Sequence, residues 1–225
     1  MAVLAVFSPY WLLILLCMPA LYLLMSYLYR SMYRRMNHIA FELLDPELLE
    51  NEAQIFYTVL RGPNMMNIYH MYESLKYDLR GEYGSAHECN MSVSSKNARL
   101  AESAKWDQVY SGIRAGNLPM AENLLGQLAE ATPAQNSDLT ASKLHTLGLY
   151  HLEKGEYTMA EEQLLSSLKQ SKMALAKLNC FFDLARLYEM EDKKEQAAER
   201  YRQAAAIGPK TWLGREAARR GALCQ

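Results

Sequence analysis

No Asp, Glu, Lys, Arg, His, Asn or Gln occurs between Val3 and Tyr29, and a water-facing helix has no need of so long an unbroken apolar run. As a helix, the run reaches about 40 Å against a hydrocarbon core of roughly 30 Å, so it crosses a bilayer even when tilted or kinked. Pro9 and Pro19 imply a kink, because each proline removes a backbone donor, a loss that membrane helices tolerate. Tyr10 and Trp11 near one end and Tyr27 and Tyr29 near the other suit the two interfacial belts, which places the start of the span near Pro9. A cleavable secretory signal would need a cationic start, a shorter apolar core and a small-residue cleavage site, and none of these is clear. Acidic residues are missing from the flank as well. Arg30, Arg34 and Arg35 follow the run with no acid before Glu42, and this positive flank predicts that the rest of the chain is cytoplasmic.

Other absences exclude whole classes of chemistry. The four cysteines, Cys17, Cys89, Cys180 and Cys224, form no CxxC and no paired spacing, so neither a disulfide framework nor a zinc site is expected. Neither GxGxxG nor GxxxxGK[ST] occurs, which leaves nucleotide chemistry without support. His87-Glu88-Cys89 is a local cluster of metal-capable residues, but neighbours on a helix point apart and no second cluster completes it, so no metal is expected. A cofactor and a small-molecule substrate are likewise not implied. Setting aside Arg30, Arg34 and Arg35 leaves 21 of the 24 basic residues against 25 acidic ones, a net charge of −4 for residues 36–225. That is not the balance of a nucleic-acid binder.

What the soluble part does contain is a recurring phrase. Leu144-x-x-Leu147-Gly148 leads to Gly155-x-Tyr157-x-x-Ala160, and Phe181-x-x-Leu184-Ala185-x-x-Tyr188 leads to Ala197-x-x-x-Tyr201-x-x-Ala204 and Pro209. Upstream, Trp106-x-x-Val109-Tyr110-x-x-Ile113 precedes Gly116, Leu118 and Ala121, then Leu125, Leu128 and Pro133, and a fainter copy is Tyr77-x-x-x-Gly81-x-Tyr83-x-x-Ala86. The Ala of each phrase falls at 86, 121, 160 and 197. Apolar residues at i, i+3, i+4 and i+7 followed by a Gly turn and a second apolar stripe describe a helical hairpin. Gly81, Gly116 and Gly155 suit the left-handed helix end, and the small Ala lets the second helix approach the first. The last phrase departs by turning through Glu191-Asp192-Lys193-Lys194 without a Gly. One hairpin cannot bury its own face, so hairpins must stack.

The array resembles the tetratricopeptide repeat, a helix-turn-helix unit of about 34 residues. The expected fold is all-α: a single N-terminal transmembrane helix, then an α-solenoid of tetratricopeptide-like hairpins. Residues 1–29 are the anchor, and 30–64 the basic flank and a connecting helix that starts at Asp45-Pro46-Glu47. Its stripe is Leu48, Leu49, Ile55, Phe56 and Leu60, ending at Arg61-Gly62-Pro63. Its acids, Glu42, Asp45, Glu47, Glu50 and Glu52, favour packing on the first repeat over lying on an anionic leaflet. The repeats occupy 65–211, as 67–99, 103–135, 141–174 and 178–211, and 212–225 supply a capping helix through Trp212, Leu213 and Ala217, with Arg215, Arg219 and Arg220 outward.

The resemblance implies a concave groove lined by the first helix of each hairpin. The repeat register places Asp107, Ser111 and Arg114 on it from one hairpin, His145, Leu149 and Leu152 from the next, and Asn179, Phe182 and Arg186 from the last. An extended or helical peptide fits such a groove, with Arg114 or Arg186 receiving an acidic group. Some adaptors of this family clamp a C-terminal carboxylate, but Leu149 and Asp183 stand where polar or basic clamp residues are wanted, so that specificity is not carried over. His151 takes a place the family usually gives to Tyr and reads as a packed histidine, and no Ser, Cys or Asp with a recognisable spacing accompanies His145. No enzyme is expected. The functional expectation is a membrane-anchored, single-pass scaffold that binds a protein partner and localises it at the membrane. Its rivals are an extracytoplasmic assembly or chaperone-like factor for envelope proteins, and a subunit of a membrane enzyme complex with its chemistry in residues 36–100.

Overall fold

The computed structural model describes residues 9–59, 62–94, 98–128 and 137–224, without the side chains of 9–16, 63–64, 98–99 and 137–140. Among the described residues it is all-α, with eleven α-helices, one π-helical turn and no strand. The chain divides into two units, Met1–Arg35 and Met36–Gln225.

Among the described residues the first unit is one helix, α1 (Pro9–His38), whose last residues belong to the second unit. Leu21, Tyr22, Leu23 and Leu24 are all exposed. Successive residues are turned by about 100°, so apolar surface runs right round this helix. Among the described residues no helix is long and apolar enough to cross a membrane. The apolar run of the sequence begins at Val3, outside those residues, and its side chains through Leu16 are outside them too.

The second unit opens with a π-helical turn, Ile39–Leu43, closed by Leu44 in the left-handed conformation at φ 53°. Met36, Ile39, Ala40 and Leu44 are buried. Helix α2 (Pro46–Val59) begins where the Asp45-Pro46-Glu47 signal put it. Asp45 Oδ1 accepts from the backbone N–H of Glu47 and of Leu48, both at 3.1 Å, the geometry of an N-cap. Its buried stripe is Leu49, Ala53 and Phe56, whereas Leu48 and Ile55, expected inward, are exposed. The spacing i, i+4, i+7 follows one face, which Leu48 and Ile55 leave. That face packs on α3 (Pro63–Arg80), and Glu50 adds ion pairs to Arg80 at 2.7 Å and Lys76 at 3.5 Å.

Four antiparallel hairpins follow: α3 with α4 (Tyr83–Met91), α5 (Ala98–Arg114) with α6 (Leu118–Leu128), α7 (Ser137–Glu153) with α8 (Tyr157–Gln170), and α9 (Ala174–Met190) with α10 (Lys194–Ile207). Each phrase of the sequence falls on one hairpin. The four turns share one device. Gly81, Gly116, Gly155 and Asp192 take φ of 80°, 80°, 76° and 56°. At each, the left-handed residue donates its N–H three residues back and the next donates five back, as in Gly155 to Leu152 and Glu156 to His151. This is the bond pair that caps a helix C-terminus, and Asp tolerates the conformation well enough to stand in for Gly. Ala86, Ala121, Ala160 and Ala197 are wholly buried where the paired helices meet. Gly148 is tighter still: a Cβ there would sit 2.8 Å from Leu164 Cγ, so α7 and α8 touch nearly backbone to backbone. Pro133, the expected stop of the second hairpin, lies outside the described residues, as do Leu60 and Arg61.

The first helices α5, α7 and α9 pack on one another as an inner layer, and α8 also contacts α9. After α10 the chain turns at Gly208 into α11 (Trp212–Leu223). Thr211 caps it, its hydroxyl accepting from Gly214 N–H at 3.0 Å. Helix α11 packs on α10 and α9 and also reaches α3. The Trp212 ring covers the first turn of the array so closely that a Cβ on Gly81 would lie 2.5 Å from its Cγ. Lys210 pairs with Asp45, the cap of α2. The π-turn Ile39–Leu43 lies against α9 and α3. The hairpins of this unit therefore curl until the last elements meet the first, and the unit's own N-terminal turn lies against the first helix of the first hairpin, α3, and that of the last, α9.

Candidate functional site

The nine residues projected onto the groove divide into three groups. Leu149 and Leu152 are fully buried, and Leu149 belongs to the apolar core formed with Trp106, Val109, Ile113, Ala121 and Leu128. His145 and Leu149 are one turn apart on α7 but offset by about 40°, which turns Leu149 from the inner face into the wedge against α5 and α6. Ser111 is also interior, its hydroxyl donating to the Asp107 carbonyl at 2.8 Å. The other two groups build real concavities.

The first concavity is an inner pocket of about 110 Å³, room for several waters. Asp107, His145 and Asn179 line it, together with Asp78 of α3, Tyr110, Ser142, Thr146, Phe41 of the π-turn and a wall rich in leucine. Burial pushes the Asp107 carboxyl up to about 7. Asp78 is driven well above its ordinary 3.8, by burial first and by the charge of Asp107 second, against the pull of Arg114. Asp78 Oδ1 and Asn179 Oδ1 are buried with no hydrogen-bond donor.

Beside the pocket, Asp183 gathers the buried charges. Its Oδ2 accepts from Arg114 Nη2 at 2.7 Å and lies 2.8 Å from His145 Nε2. Arg186 Nη1 stands 3.7 Å from Oδ1. Burial alone would raise this carboxyl, but the Arg114 charge, His145 and Arg186 hold it down to about 2. Arg114 is further caged by the rings of Tyr110, Phe182 and Tyr83, 5.3, 5.7 and 5.9 Å from its guanidinium carbon, a favourable cation–π setting. The Asp that spoils a carboxylate clamp in the sequence is thus the counter-ion of the two arginines assigned to bind an acidic partner.

The second concavity is a cleft of about 280 Å³ lined by Tyr83, Arg114, Glu153, Phe182, Arg186, Trp212 and Arg220, with contributions from α4, α5, α7, α9 and α11. Arg186 Nη1 is paired with Glu153 at 2.8 Å. Arg220 binds Glu216 at 2.8 Å and Glu189 at 3.1 Å. Trp212 keeps 37% of its surface exposed and stacks edge-on to Tyr83 at 6.0 Å.

No family model and no curated protein matches the chain. The arrangement must therefore be read from its own chemistry. Among the described residues no three His, Cys, Asp or Glu side chains converge on a metal position. His87 faces Ser111, with Nδ1 3.4 Å from its hydroxyl. His151 is packed and pairs with Glu156 rather than with the core. All four cysteines are free. Asp78 and Trp212 take part in the two concavities as more than the sequence reading gave them. Trp212 was legible as a cap residue only. Asp78 had a signal, a carboxylate in the first helix at the position where the next phrase, 35 residues on, carries the apolar Ile113.

Proposed function

We propose that the chain is a membrane-anchored adaptor of the tetratricopeptide type that holds a protein partner at the membrane. The observation that carries this reading is the cleft. Five helices from every hairpin and the cap supply three guanidinium groups and three aromatic rings to one outward-opening surface. Aromatic and Arg side chains are the residue types that dominate protein recognition sites. The inner-layer groove is a poorer candidate, since the π-turn packs against α9 and α3 there. An acidic or aromatic segment of a partner would enter beside Trp212 and draw Arg186 or Arg220 from its own carboxylates; Arg114, caged and paired, stays structural.

Anchoring is supported by the uncharged run Val3–Tyr29 and by apolar surface on every side of α1. A cytoplasmic side for the repeats is supported by Arg30, Arg34 and Arg35. Photocrosslinkers at positions 186 and 212 of the full chain in native membranes test the adaptor role. A discrete partner captured from both positions, and from neither 169 nor 194, is the expected result; identical capture from all four sinks the cleft. A C-terminal reporter active only in the cytoplasm decides the side, and activity outside it favours the envelope-factor reading.

One observation favours an enzyme-subunit role instead: the inner pocket brings raised carboxylates, Asp78 and Asp107, beside the Asp183–His145 pair. That pair has the base-and-orienter geometry of acid–base sites. Yet among the described residues no Ser, Thr or Cys completes it by bonding the second ring nitrogen.

A further inference from the structure

The inner pocket holds acids and buried acceptors that no cationic side chain of its lining meets. Two carboxylates, Asp78 and Asp107, face it, and no Lys or Arg is among its lining residues. Arg114, the cation whose charge acts on Asp78, is held by Asp183 at 2.7 Å. His145 is likewise committed to Asp183. Beside the carboxylates, Asn179 directs a buried amide oxygen without a donor, and Asp78 Oδ1 is in the same state. Buried acceptors without donors cost roughly 1–3 kcal/mol each, and a fold retains them where something else supplies the donors. The remainder of the wall is hydrocarbon, notably Leu75, Leu79, Leu175 and Leu178.

We infer that this pocket binds a small primary alkylammonium ion, its three N–H donors meeting Asp78, Asp107 and Asn179 and its hydrocarbon body lying against the leucines. A divalent metal fits less well, because no third carboxylate, Cys or His joins the two acids in a coordinating group among the described residues. A guanidinium asks for one coplanar carboxylate edge rather than acceptors carried by three different helices. The charge also balances. One ammonium neutralises one carboxylate, and the other keeps a proton, consistent with the upward displacement of both acids by burial.

The test uses the full chain in detergent micelles at pH 7.5, titrated calorimetrically with n-butylammonium chloride over a blank of empty micelles. Saturable binding is expected, with a rise in melting temperature, and no binding of butan-1-ol, the neutral molecule of the same shape. Asp78→Asn and Asp107→Asn should each weaken binding at least tenfold while keeping the helical circular-dichroism signal and a melting temperature no lower than the parent's. Either variant alone suffices if the other misfolds. The inference is overturned by an absence of saturable binding, by equal affinity for butan-1-ol, by Ca²⁺ or Mg²⁺ displacing the amine at equal concentration, or by unchanged binding in a folded variant.

Discussion

At the residue scale, the two classes of buried carboxylate act on stability in opposite directions. Asp183 is held at about 2 by Arg114, His145 and Arg186, below its ordinary 3.8, so its contribution is complete above that value and fades as pH falls toward 2. Asp107, raised to about 7, contributes fully only below its unfolded value, and the contribution is lost as pH rises through 7. Asp78 behaves in the same direction. The folded state thus holds more protons than the unfolded chain across the neutral range, and stability must fall as pH rises there. Melting temperature is expected to drop between pH 5 and pH 8. Asp107→Asn should flatten the drop and add on the order of 2 kcal/mol at pH 8, with little gain at pH 5; an equal shift at both pH values would refute the assignment. Asp183→Asn should do the reverse. It leaves Arg114 caged without a counter-ion, and breaking a buried pair from one side costs about 3 kcal/mol, readable by thermal or chemical denaturation.

At the scale of elements, the turns and the helix contacts are what hold the hairpins in shape. Gly155→Ala is expected to lose about 1–2 kcal/mol, because a Cβ is strained at φ 76° although nothing crowds it. Asp192→Gly, at the matching turn, should be neutral or stabilising by a few tenths of a kcal/mol. Gly148→Ala should cost about 1–3 kcal/mol for a different reason, as Leu164 and its backbone must give way. Denaturant midpoints separate the three. The hairpins themselves were legible because their signals are local: an i, i+3, i+4, i+7 stripe, a turn residue and a small Ala. Even the turn without Gly kept its shape, with Asp192 at φ 56°. The faces were less legible. Leu149 and His145 share a helix side on paper, yet a neighbouring hairpin converts one into core and leaves the other on the pocket. That depends on how α5 and α7 lean together, which the register of one repeat does not contain. The same holds for Leu48 and Ile55 of α2, where Ala53, an inconspicuous residue, takes the buried place.

At the scale of the second unit, the ends of the array are joined. Trp212 rests on Gly81, Lys210 pairs with Asp45, and α11 packs at once on α9, α10 and α3. Sequence reading placed a cap at the C-terminus but had no means to see that it also reaches the first hairpin, since contacts between residues 45 and 210 leave no periodic trace. Gly214 is where this closure is most sensitive. A Cβ there would stand 1.9 Å from the Gly208 carbonyl oxygen, so Gly214→Ala is expected to displace α11 and lose about 3 kcal/mol. Amide exchange in α3 and in the turn at Gly81 should then accelerate along with α11; if only α11 is affected, the two ends are not coupled. The junction also bears on synthesis. Hairpins close over a few tens of residues and form as soon as each has left the ribosome, but the pairing of Asp45 with Lys210 spans 165 positions. The loop it closes is entropically demanding and late. During translation the early hairpins must wait, with Gly81 uncovered and the inner pocket unsealed, until Trp212 emerges. A product truncated before Trp212 would retain all four hairpins and still lack its finished interior.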